Sequence, residues 1–169
     1  MSTPNKVGFT SATAGLLTDV DSVAVGGATN IYRNIPGTFI ADDAGNEYLY
    51  MLGVAATVAG SFVTYNSVTF QTALTTNSAT NAGPVAIAMA AILAAQYGWY
   101  LIGGTYASAN VATSSAIGQC LYTSATAGRL SVTAVAAQAV FGAFLVTASV
   151  TNVGGVFVQS PFTMQNSTL

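Results

Sequence analysis

The sequence predicts an all-β fold: a small antiparallel β-sandwich or barrel with an extended N-terminal arm. Three observations carry this. Apolar residues repeat with a period of two, as where Val85, Ile87 and Met89 alternate with Ala86, Ala88 and Ala90. Clusters of Gly, Asn, Asp and Pro break the chain at short, near-regular intervals. No segment holds a wide apolar stripe at helical period between capping signals.

Residues 1–40 read as the arm, interrupted by Gly26-Gly27, Asn34 and Pro36-Gly37. They still carry Val23, Val25, Ile31, Tyr32, Ile35, Phe39 and Ile40, which need burial in the domain or on a neighbour. Residues 41–169 form the β domain. Asp42-Asp43-Ala44-Gly45-Asn46 is a turn, because short polar side chains bond their own backbone and glycine takes φ values closed to other residues. A strand-like run follows over 48–58, and Ala59-Gly60 turns the chain. Residues 61–70 alternate β-branched and aromatic side chains, as a strand does. Residues 71–84 read as a Thr/Asn/Ser/Ala loop closed by Gly83-Pro84. Strands are then expected over 85–92 and 97–102, with a turn at 94–96 and Gly103-Gly104 ending the second. Residues 106–115 read as a small-residue loop and 117–122 as a strand. The segment 124–128 is a tight turn, and 130–135, 139–148 and 155–159 complete the strands.

Composition narrows function. The chain is 52% hydrophobic and 5% charged, against about 25% charged in an ordinary domain. Much of its surface is therefore expected to be buried in an assembly or built from Ser, Thr, Asn and Gln. With no histidine, the commonest general base and the Ser/His and Cys/His nucleophile pairs are missing, so no enzyme and no catalytic residue is expected. Lys6, Arg33 and Arg129 are too few to neutralise a phosphate backbone or hold an anionic membrane. Residues 85–102 are long and apolar enough for a membrane helix, but their period of two, the Tyr97/Trp99/Tyr100 aromatics and the lack of flanking basic clusters favour strands. The first residues have no apolar core of a signal peptide, and none is expected. Cys120, the sole cysteine, is expected to be a small buried hydrophobe.

Few groups are left for a site. Asp42, Asp43 and Glu47 lack the alternating ligand spacing of a calcium loop and read first as a hairpin turn, so no metal or other cofactor is expected. Tyr97, Trp99 and Tyr100 could stack on a sugar, as in a glycan-binding phage or cell-surface adhesin or fibre module. On a strand such residues are more often core and cross-strand packing.

QYGWYLIGG at residues 96–104, GQCLYTSATAGRL at 118–130, VFGAFLVTAS at 140–149 and GGVFVQ at 154–159, preceded by GNEYLYMLGVAATVAGSFVTYNSV at 45–68, occur in an order that resembles tailed-bacteriophage head decoration (cement) proteins. The resemblance covers about residues 40–160 and rests on the order of short pieces: a glycine-aromatic strand, a strand running into an S-x-T-A-G-x-L turn, a V-x-G strand and a closing strand. It implies a structural protein on the outer capsid surface of the virion. Such proteins are homotrimers at local threefold positions that bridge and stabilise major capsid subunits, and an N-terminal arm often threads onto the next subunit. If the capsid or trimer contacts include a salt bridge, scarcity leaves Arg33, Asp42, Asp43, Glu47 and Arg129 as candidates.

Overall fold

The computed structural model describes residues 17–18, 20–22, 34–78, 81–134 and 138–163. The fold is all-β. Among the described residues the elements are the strands β1 (Asp21–Ser22), β2 (Phe39–Ala41), β3 (Glu47–Leu52), β4 (Phe62–Tyr65), β5 (Thr72–Leu74), β6 (Gly83–Ala88), β7 (Gln96–Asn110), β8 (Cys120–Thr123), β9 (Leu130–Ser131), β10 (Ala139–Leu145) and β11 (Val153–Thr163). They join one antiparallel sheet in the order β2-β3-β7-β6-β11-β10-β8-β9, with β1 on β7 and the β4–β5 hairpin on β6. The sheet curls on itself without closing into a barrel. Two hydrogen bonds tie the turn before β9 to β4 and the end of β5: Phe62 N donates to Gly128 O at 3.0 Å, and Gly128 N to Thr75 O at 2.9 Å.

The period of two sorts side chains onto the two faces of the sheet. Tyr48 and Tyr50 of β3, Val85 and Ile87 of β6 and Trp99 and Leu101 of β7 point inward, where they meet Leu121, Leu130, Val140, Leu145, Val156 and Val158 from the other end. Each fully buried side chain of this size contributes about 1.5–3 kcal/mol. The alternate residues Leu49, Met51, Ala86, Ala88 and Tyr100 lie on the outer face, yet they are buried too. Val63 of β4 lies beside its register partner Ala86 on this face, Ile92 of the β6–β7 turn packs into the same cluster, and Phe70 and Leu74 of the β4–β5 hairpin lie alongside. Strands covered on both faces read as nearly continuous apolar runs, which is why 85–102 has the composition of a membrane span. No helix among the described residues is long and apolar enough to cross a membrane.

Several expected boundaries are corrected. The loop expected over 71–84 contains β5, whose Thr72, Ala73 and Leu74 pair with Tyr65, Thr64 and Val63. β7 does not end at Gly103-Gly104 but runs through Asn110, into the loop expected over 106–115. The glycine pair instead marks where β7 passes from pairing with β3 to pairing with β11. Gly104 has φ +113, and a Cβ there would collide with Asn46 Oδ1. The strand expected from residue 117 starts at Cys120, because Gly118 is at φ +80 and Ile117 is exposed. Within the segment read as the arm, Leu17 lies in the inner core, Asp21 and Ser22 pair with Tyr97 and Gln96, and Phe39 and Ile40 belong to β2.

Candidate functional site

The acidic candidates come together on the β2–β3 hairpin. Asp42 Oδ1 accepts hydrogen bonds from Ala44 N (2.9 Å) and Asn46 N (2.8 Å), and Oδ2 from Asn46 Nδ2 (2.8 Å) and Tyr48 Oη (3.0 Å). Burial raises the Asp42 pKa, but the hydrogen bonds from Asn46, Tyr48 and Ala44 together hold it below its ordinary 3.8. The carboxylate is spent on its own turn. Asn46 Oδ1 accepts from Thr105 N at 3.0 Å, which fastens the hairpin to β7. Asp43 is exposed, and Glu47 is half-buried against Gly103. No group of three potential metal ligands forms among the described residues.

Arg129 lies elsewhere, after the turn that joins β8 to β9 at the opposite end of the strand order. Its Nε is buried without a hydrogen-bond partner. The structure does not bring it together with the acidic hairpin. Arg33 lies outside the described residues.

The aromatic cluster is not a sugar platform. Trp99 is 6% exposed and Tyr100 is fully buried, on opposite faces of β7. The Tyr50 ring stacks on Tyr97 at 5.9 Å and meets Trp99 edge-on at 5.2 Å, so these rings are cross-strand packing. Cys120 is exposed, not buried as expected: it alternates with Leu121, which takes the inward position.

A different feature emerges on β10 and β11. In a regular strand Phe141 and Phe144, three residues apart, would point to opposite faces. Gly142 sits between them at φ +72 in a register shift, and both phenylalanines point outward while Val140, Ala143 and Leu145 point in. A Cβ on Gly142 would stand 2.5 Å from Gln159 O, so the bulge requires glycine. On β11, Phe157 and Phe162 are five apart and would also diverge. An irregularity through Gln159, Ser160 (φ +43) and Pro161 brings both outward. Phe141 then faces Phe162, with ring centroids 5.3 Å apart, and Phe144 faces Phe157 at 5.2 Å. Cys120 is the register partner of Phe144 on the other side.

Phe141, Phe144 and Phe162 are 46%, 43% and 43% exposed. Large apolar side chains scattered singly over a surface are ordinary, whereas two phenylalanine pairs on one face of adjacent strands mark a candidate interaction site. Phe162 pairs with Pro84, so this face continues the one bearing Ala86 and Ala88. Over β6 and β7 the chain's own β6–β7 turn packs on that face through Ile92. Over β10 and β11 it stays open among the described residues. The sequence reading missed the site, although Phe-Gly-Ala-Phe was its available signal. An open groove of about 510 Å³ also lies along the β4–β5 hairpin, lined by Tyr65, Gln71 and Pro84, but no charged group lines it.

The chain matches no family model, no curated protein and no solved structure.

Proposed function

We propose that this chain is a structural virion protein, a decoration or cement protein that sits on the outer surface of a phage head as a homotrimer and stabilises the shell by bridging major capsid subunits. The observation that carries this reading is the open face of four phenylalanines on a chain with only three basic and five acidic side chains. Interface cores are depleted in charge and enriched in aromatics, because a charge moved out of water needs a partner and an aromatic ring does not.

The segments that resemble cement proteins also make structural sense together. Ser124 Oγ, in the S-x-T-A-G-x-L turn, has Thr126 O and Arg129 O within reach of its single proton, and the leucine that ends the turn, Leu130, is fully buried. The glycine of the V-x-G strand is Gly142, whose bulge sets the phenylalanine face. Thus the motif residues build the turn and the face and need no chemistry of their own.

The test is co-sedimentation of the purified protein with DNA-filled phage heads, with light scattering on the free protein. Saturable binding at a fixed ratio to the shell supports the reading. A protein that binds no head and stays monomeric would end it.

A further inference from the structure

We infer that the outer face of β10 and β11, centred on Phe141, Phe144, Phe157 and Phe162, is where a second copy of this chain docks. The inference rests on the assembly reading above and adds which surface joins the copies.

The argument begins with what it takes to form the face. Two backbone irregularities, at Gly142 and at Gln159–Pro161, are needed to bring all four rings to one side. Regular strands would have turned half of them toward the core, where apolar side chains are stable without any partner. The backbone departs from regularity on both strands, and the result is apolar surface left exposed among the described residues.

Charge selects the occupant. The register neighbours of the four rings on the adjoining strands are Pro84, Thr105 and Cys120, none of them charged. A partner with an ordinary surface, about one quarter charged, would have to strip water from its own ions with no counter-charge opposite. A second copy brings the same neutral face and loses no ion hydration. The formal net charge of −2 gives little long-range repulsion between copies.

Cys120 supplies the readout, because it is exposed beside Phe144 and is the only cysteine in the chain. The experiment measures the mass of the full chain by sedimentation across a concentration series, and in the same samples the rate at which a maleimide labels Cys120. The expected result is an oligomer whose Cys120 labelling slows by about tenfold once nine-tenths of the chains are assembled. The double variant Phe144→Ser/Phe162→Ser should be a folded monomer, with unchanged circular dichroism and fast labelling. A wild-type protein that stays monomeric overturns the inference. So does an oligomer whose Cys120 labels at the monomer rate, or one that survives the double substitution. These last two results leave head binding as it was, so the surface can fail while the cement reading stands.

Discussion

Tyr48 Oη donates a hydrogen bond to Asp42 Oδ2 at 3.0 Å, joining the first residue of a surface turn to a core ring of β3 six positions later. One carboxylate thereby organises the whole β2–β3 hairpin: it accepts two backbone N–H groups, an amide and a phenol. An acidic cluster that reads as a contact site is, in its central member, an internal brace.

Acid should loosen this brace. Asp42 has a folded pKa below its ordinary 3.8, so its contribution is fully present above about pH 4 and is lost as pH falls through the folded value. Asp42→Asn should lower stability at neutral pH by about 1 kcal/mol. Urea melts of the two proteins from pH 7 to pH 2 should converge at the acid end. A gap that stays constant across that range would show that ionisation of Asp42 contributes nothing.

Alkali should act on the tyrosines. Burial raises the pKa of Tyr48, Tyr65, Tyr100 and Tyr106; at Tyr48 the Asp42 hydrogen bond and charge add to it, and Tyr100 is pushed up to about 12. Their folded pKa values exceed the unfolded value of 10, so stability is full below pH 10 and falls as pH rises beyond it. Tyrosinate absorbance for these rings should therefore appear together with loss of β-structure. Titration of all eight tyrosines near pH 10 with the fold intact would contradict the burial.

Tyr100→Phe should be neutral or stabilising. The Tyr100 hydroxyl is buried without a hydrogen-bond partner, and the nearby Thr72 hydroxyl gives its single proton to Leu52 O at 2.7 Å. Removing an unsatisfied polar atom relieves a penalty of about 1–3 kcal/mol, offset by whatever space is left behind. A thermal melt in which Tyr100→Phe loses more than about 1 kcal/mol would mean that the hydroxyl has a partner.

Gly142→Ala should destabilise by more than the about 1–2 kcal/mol that a left-handed backbone costs an L-residue, because its Cβ would also press on Gln159 O. Denaturant unfolding measures this. A variant as stable as the wild type would show that β10 can shed its bulge, and with it the outward phenylalanine pair.

Leu130→Ala should cost about 2–5 kcal/mol, because the side chain is fully buried in the inner core between the two ends of the sheet. Phe144→Ser, at an exposed position, should change the stability of the monomer by less than about 1 kcal/mol. Equal losses in the two unfolding curves would place Phe144 in the core and remove the candidate face.

The all-β class and most turns were legible from local chemistry. Asp42 to Asn46 turns because Asp42 bonds its own backbone, and residues 124–128 turn through Ser124; these bonds are local, although Asn46 and Gly128 also tie the two turns to β7 and to β4 and β5. The two-faced burial of 85–88 was legible as alternation of large and small side chains. The tertiary structure decided the rest. β5 forms because β4 offers unpaired backbone to Thr72–Leu74, although its own composition reads as loop. β7 continues past Gly104 because β11 arrives as its next partner. The phenylalanine face exists only because Gly142 bulges against Gln159 O, a contact between residues 17 positions apart in the chain. Period and turn residues act within a few positions, so a chain displays them directly. Register and bulges are settled between strands, and one residue of slip moves every side chain to the other face.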